Sequence, residues 1–181
     1  QSFTRPTLPL DRIVSPADVQ ASAPAGAKSS LRDAAEAASR ALCALRLSSV
    51  SHAQLKPSNL SSPDFNLIAD LLQATRDEFG FGASLYPPRE LDPSGLCDTA
   101  AKARWLQKTV DLVGICTGSK LSLNSFDAVT GRAPEATLDF IHKLAVCAAD
   151  DSLDLDAAVQ LQQAGIRPGE APPPRRAGYD A

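Results

Sequence analysis

Apolar residues recur at three- and four-residue spacing in five segments of the chain, and this spacing places them on one face of an α-helix. We predict helices over Ser30 to about Leu47, Pro63 to about Phe79, Cys97 to about Thr117, Ala133 to Ala149 and about Ser152 to Ala164. The third helix is the longest of these, and its apolar residues extend around more than one side. It is therefore expected to be the central helix of a bundle.

The second predicted helix has the clearest start signal. Ser62 can accept hydrogen bonds from the first free backbone N–H groups, and Pro63 suits the first helical position because it lacks an N–H group. Asp64 opposes the positive end of the helix dipole. Gly118 and Gly165 follow two later helices and are typical of helix ends.

Four segments lack the helical pattern. Residues 1–29 are rich in Pro, Ala and Ser and predict an extended arm. This arm is either a disordered tail or an ordered segment that lies along a partner or along its own domain. Residues 80–95 form a long loop, which indicates an interaction surface or a family insertion. Residues 120–126 predict an extended connector or short helix, and residues 166–181 a proline-rich tail. The helical domain is therefore expected at 30–165.

Composition favours the same fold class. Of the 181 residues, 44% are hydrophobic and only 5% are aromatic, so aliphatic residues must fill most of the core. We predict one all-α domain of about five helices. The net charge of −3 argues against nucleic-acid binding through the overall field. No apolar run approaches the roughly 20 residues that cross a bilayer, so no membrane span is expected.

The sequence offers no convincing active site. Its four cysteines form no CxxC pair, and with only His52 and His142 beside them they do not match a zinc site. Reduced thiols are favoured over two disulfides. Phe79-Gly80-Phe81-Gly82 lacks the context of a phosphate loop, and the acidic residues 150–156 lack the glycine and glutamate of a calcium loop. We therefore predict no catalytic residue, no metal and no cofactor.

A group of basic residues on and after the third helix is the candidate binding site. It consists of Lys102, Arg104, Lys108 and Lys120. Arg104 and Lys108 are four residues apart and share a helix face, while Lys102 lies to one side. One interpretation is an ordinary solvated helix face. The other is a small basic platform for an acidic protein surface, including the exterior of tubulin.

Several short motifs follow one another in an order that is shared with a known family. They are Leu31-Arg32-Asp33, Ala41-Leu42, Pro63-x-Phe65-x-Leu67, Lys102-Ala103-Arg104-Trp105-Leu106-Gln107-Lys108 and Lys120-Leu121-Ser122-Leu123. With them, the segment from Leu31 to about Ala149 resembles the divergent calponin-homology domain of intraflagellar-transport proteins, most closely that of the clusterin-associated protein. This resemblance implies a calponin-homology-like all-α bundle without catalytic activity that serves in protein–protein or microtubule interaction.

Two functions from different classes follow. The first is a non-catalytic ciliary adaptor in an axonemal or intraflagellar-transport assembly, with other ciliary proteins and tubulin as partners in a large hetero-complex of the cilium or flagellum. The second is an accessory structural subunit of a large organellar complex in the mitochondrion. The chain begins at Gln1 without a methionine and has Ala- and Pro-rich ends, which motivates this alternative.

Overall fold

Helices account for the regular secondary structure of the described part of the protein. The structure, a computed structural model, describes residues 25–177, with the side chains of residues 25–28 excluded. Its seven α-helices are α1 (Ala25–Leu45), α2 (Pro57–Leu60), α3 (Phe65–Phe79), α4 (Thr99–Thr117), α5 (Ser125–Val129), α6 (Pro134–Ala149) and α7 (Leu155–Gln163). Two 3₁₀ turns, Pro88–Glu90 and Pro93–Gly95, lie between α3 and α4. The predicted all-α class and its five main helices are confirmed.

The first helix differs from the prediction at its start. It begins at Ala25 rather than Ser30, because residues 25–29 contain no proline and include the strong helix formers alanine and lysine. With 21 residues, α1 is the longest described helix, whereas α4 has 19. Residues 1–24 of the predicted arm lie outside the described residues, and the division into arm, domain and tail stays a prediction.

Aspartate caps define three helix starts. The predicted cap Ser62 is wrong, because α3 begins at Phe65 and the carboxylate of Asp64 accepts a hydrogen bond from the Leu67 N–H at 2.8 Å. Asp98 caps α4 through the Ala101 N–H at 3.1 Å, and Asp154 caps α7 through the Ala157 N–H at 2.9 Å. Each carboxylate serves a donor three residues later, where it also opposes the helix dipole.

Two helices share the centre of the core. Helix α6 packs against α1, α3, α4 and α5, and α4 also contacts α5 and α7. The expectation that α4 alone is central is therefore too narrow. Small residues allow α1 to lie close to α6, since Ala35 and Ala38 are completely buried. The fully buried large side chains of α4 and α6 include Leu106, Leu112, Val113, Ile115, Leu138, Phe140, Ile141 and Leu144.

The connector after α4 is extended over 120–124 and then forms the short helix α5, as predicted. Leu121 and Leu123 are buried in the core, whereas Ser122 and Asn124 are exposed. The Ser125 hydroxyl donates to the side-chain oxygen of Gln107 at 2.6 Å, which ties the connector to α4. The alternation of buried and exposed residues in this connector therefore arises from an extended chain that buries one side and is not part of a sheet.

Replacing Asp64 with alanine should test the cap of α3. Removal of a capping carboxylate costs about 1 kcal/mol, because the Leu67 N–H loses its acceptor at the helix start. We expect the free energy of unfolding, measured by urea denaturation, to fall by that amount. Asp70→Ala is the matched control, since Asp70 is exposed in the middle of α3. Equal losses in the two variants would contradict the capping role.

Candidate interaction surface

An aromatic cluster on α4 organises the surface around the predicted basic residues. Trp105 is buried, and its indole ring stacks on Tyr86 with the ring centroids 5.0 Å apart. Phe65, at the start of α3, meets the same indole edge-on at 5.9 Å. These offset and edge geometries are favourable for aromatic pairs. The cluster therefore joins α3, α4 and the loop that carries Tyr86.

Hydrogen bonds hold that loop in one position. The Tyr86 hydroxyl donates to the carbonyl of Trp105 at 2.9 Å and lies 2.6 Å from the Thr109 hydroxyl. Burial raises the pKa of the Tyr86 hydroxyl, so this group stays a neutral donor. The indole N–H of Trp105 donates to the carbonyl of Glu90 at 2.9 Å. The long loop expected at 80–95 is thus fastened to the helices.

Lys108 does not stand alone on the helix face. Its ammonium group forms an ion pair with the carboxylate of Glu90 and lies 5.6 Å from the centre of the Tyr86 ring. The carbonyl of Lys108 also accepts a hydrogen bond from the Gln162 side chain at 2.8 Å, which connects α4 to α7. Much of the charge of Lys108 is therefore balanced within the protein.

Lys102 and Arg104 differ in how far their charges are engaged within the protein. The ammonium group of Lys102 lies 4.9 Å from the centre of the Phe65 ring, which is a cation–π contact, and its side chain is half-buried. Arg104 is exposed and forms no ion pair with any other residue in the described range 25–177. Of the three cations on α4, Arg104 is the one presented most openly to solvent.

Lys120 belongs to a different part of the surface. It is exposed in the connector beyond the end of α4 at Thr117. At roughly 1.5 Å per residue, the helix alone carries the chain about 20 Å from Arg104 to that end. Lys102, Arg104 and Lys108 therefore lie within the first ten residues of α4, while Lys120 lies beyond its opposite end. Their role in partner binding stays a prediction.

The sequence did not predict which loop residues contact Lys108 and Trp105 within the protein. Glu90 is 18 residues from Lys108, and Tyr86 is 19 residues from Trp105. Neither spacing corresponds to neighbours on one helix, so no local pattern could pair them. An aromatic residue and a glutamate in an otherwise turn-rich loop were the available signal that the loop packs inward.

The proline-rich tail lies on the far end of α4. A Cβ atom at Gly114 would come within 2.6 Å of the Pro168 side chain, and one at Gly118 within 3.0 Å of Pro173. The tail is non-helical over 166–177, as predicted, but it is folded against the domain. Only glycine at these two positions leaves room for the two proline rings.

A short clasp fixes the end of the tail. The N–H of Asp154 donates to the Pro174 carbonyl at 3.0 Å, and the N–H of Arg176 donates to the Ser152 carbonyl at 2.9 Å. The guanidinium of Arg175 forms an ion pair with Asp150 at 2.9 Å. Hydrogen bonds from Ser152, with a smaller contribution from Arg175, hold the pKa of the Asp150 carboxyl below its ordinary value.

The cysteines and histidines were the other candidates for reactive or metal-binding groups. All four cysteines are free thiols, with Cys116 and Cys147 buried. Cys43 Sγ lies 3.9 Å from Nε2 of the exposed His52, a long sulfur–nitrogen hydrogen-bond distance. Residues 25–177 contain no cluster of three or more side chains arranged to hold a metal. Over the same range, no helix combines the length and apolarity needed to cross a bilayer.

Comparison with known proteins agrees with this architecture. A family model described as the CH-like domain of microtubule-binding protein MIP-T3 matches residues 44–150, more than half of the chain. TRAF3-interacting protein 1 of Danio rerio is 30% identical over 106 residues, which are 59% of this chain and 17% of that protein. The Mus musculus protein of the same name is 29% identical over 106 residues, with the same two shares. The match thus spans about a sixth of the length of these relatives.

The pH dependence of stability should report on Asp150. Because its pKa is lowered in the folded state, its contribution is present above the ordinary aspartate value of 3.8 and is lost as the pH falls through the lower folded value. We expect Asp150→Asn to be less stable than the wild type at pH 7 in urea unfolding, with the difference shrinking below pH 3.8. Asp151→Asn, at the exposed neighbouring residue, is the matched control. A difference for Asp150→Asn that is constant with pH would contradict the clasp.

Proposed function

Because the chain belongs to the family of CH-like domains of microtubule-binding protein MIP-T3, we propose that it is a non-catalytic adaptor in a microtubule- or cilium-related assembly. The observation that carries this proposal is the family match, which covers α2 to α6 and the loop that packs on Trp105. The narrower likeness to the clusterin-associated protein stays a prediction. A ciliary location rests on the resemblance to intraflagellar-transport proteins.

The buried polar groups support a structural role. Thr75 and Thr137 donate their hydroxyl protons to backbone carbonyls one helical turn earlier, those of Leu71 and Ala133. The hydroxyl of Ser125 is bonded to Gln107. Each is satisfied inside the fold and none is paired with a general base, as an activated nucleophile would be.

The exposed end of the basic group is the best candidate for partner contact. Arg104 faces solvent on α4, and Lys102 lies two residues before it beside Phe65. An acidic protein surface would gain charge-assisted hydrogen bonds from Arg104 without first breaking an internal ion pair. Contact through Lys108 would compete with Glu90. We therefore assign Arg104 the main role in direct binding and Lys108 a supporting one.

The organellar alternative finds no support in these comparisons, and we do not carry it forward. Direct microtubule binding and binding through another protein remain distinct possibilities within the adaptor function. Direct binding predicts that the chain binds purified microtubules, whereas indirect binding requires the other protein to be present.

Cosedimentation of the full chain with purified microtubules should test direct binding. We expect binding that weakens as salt rises, because exposed charges are screened. Arg104→Glu should weaken it roughly two- to tenfold, the size expected when an exposed charge contact worth up to about 1 kcal/mol is lost and reversed.

Arg132→Glu is the matched control, since Arg132 is also exposed but lies in the turn between α5 and α6. Equal effects of the two reversals would exclude a specific role for Arg104. Absence of cosedimentation at low salt would exclude direct microtubule binding and leave binding through another protein.

A further inference from the structure

We propose that the surface beneath the proline-rich tail is a docking seat for an extended, proline-rich segment of a partner protein. We define the seat as Gly114, Gly118, Ser152, Asp154 and the carboxylate of Asp150. In this structure the chain's own residues 166–177 occupy it. This goes beyond the proposed function, because it concerns a second surface at the opposite end of α4 from Arg104.

The first argument is shape. Pro168 lies over Gly114 and Pro173 over Gly118, so two proline rings sit at two positions where the helix end has no side chain. A Cβ atom at Gly114 would approach the Pro168 ring to 2.6 and 2.7 Å, closer than real Cβ contacts. The seat therefore accepts two proline rings that are separated by four residues.

The second argument is hydrogen bonding. Prolines have a carbonyl but no N–H, so an extended proline-rich segment offers mainly acceptors. The seat supplies a matching donor, because the N–H of Asp154 bonds to the Pro174 carbonyl at 3.0 Å. It also supplies the Ser152 carbonyl as an acceptor for the N–H of Arg176, two residues after Pro174, at 2.9 Å. Such main-chain pairing recognises a backbone conformation with little dependence on the side chains.

The third argument is charge. The Asp150 carboxylate receives the guanidinium of Arg175 at 2.9 Å. The Arg175 side chain also donates to the Ser152 hydroxyl. A basic residue directly after a run of prolines therefore fixes the position of the segment along the seat. The chemistry of the partner segment is thus two spaced prolines followed by an arginine.

The tail is held loosely enough to be exchanged. Residues 166–177 are half-buried or exposed and none is buried, so departure of the tail exposes less apolar surface than departure of a core segment would. Proline also limits the conformations of the free segment, which reduces the ordering cost for whichever segment binds. Because the tail is covalently attached, its effective concentration is in the millimolar range, and a partner segment must compete with it.

The experiment measures binding of a fluorescein-labelled peptide of residues 166–177 to full chains by fluorescence anisotropy. In Arg175→Glu the attached tail is repelled by Asp150, while the added peptide keeps its arginine. We expect this variant to bind the peptide roughly five- to tenfold more tightly than the wild type, since a half-exposed ion pair is replaced by repulsion. Arg176→Glu is the matched control, because Arg176 is exposed and uses its backbone N–H in the clasp.

Changes to the peptide test the seat without altering the fold. A peptide with Pro168→Ala and Pro173→Ala should lose most of its binding to the Arg175→Glu chain. Adding Gly114→Ala to that chain should also abolish binding, whereas Gly95→Ala should not, because a Cβ atom at Gly95 meets nothing within 4 Å. Equal binding of both peptides, or of the peptide to all three chains, would overturn the proposal.

Light scattering separates the two sources of a proline-rich segment. We expect the wild-type chain, whose tail keeps Arg175, to remain a monomer as its concentration rises. A concentration-dependent dimer would assign the seat to the tail of a second copy and overturn its assignment to a partner protein. Because these variants leave Arg104 unchanged, microtubule cosedimentation reports separately on the proposed function.

Discussion

The burial of Trp105 determines how the exposed side of this domain is arranged. Its indole lies between Phe65 of α3 and Tyr86 of the following loop, and its N–H and carbonyl groups both bond to that loop. A large aromatic residue with both polar groups satisfied is costly to displace, because displacement exposes apolar surface and breaks hydrogen bonds together. The loop between α3 and α4 is therefore part of the folded core in spite of its length.

The electrostatic character of α4 follows from this packing. The Trp105–Glu90 bond brings the Glu90 carboxylate to Lys108, and the Phe65 contact with Trp105 provides the ring that faces Lys102. Two of the three cations on the helix therefore have partners inside the domain, and Arg104 remains exposed. In a protein with a net charge of −3, a single well-placed arginine fits a specific contact better than a general attraction to acidic surfaces.

The far end of α4 has a different character. There the helix ends at glycine, and the chain returns after α7 to cover that end with prolines. The family match stops at residue 150, where the clasp with the tail begins. The domain thus has two chemically distinct faces at the two ends of one helix. One presents the guanidinium group of Arg104, and at the other the backbone N–H of Asp154 and the carbonyl of Ser152 pair with the tail.

Local sequence predicted much of the secondary structure, because helix positions and buried faces depend on residues within about four positions of one another. The apolar face of α6 and the glycine at the end of α4 are examples, and the order of motifs also indicated the family. Local sequence did not determine the helix boundary to a single residue: Asp64 caps α3 where Ser62 was expected, since either residue type can accept the same hydrogen bond.

The sequence by itself thus determined an all-α domain with a group of basic residues on and after its third predicted helix, which is α4 of the structure. Only the tertiary structure decided which of those cations are neutralised and which surface the tail covers. Glu90 reaches Lys108 across 18 residues, and Arg175 reaches Asp150 across 25. Such pairs depend on how packed helices bring distant segments together, and local periodicity carries no information about that geometry.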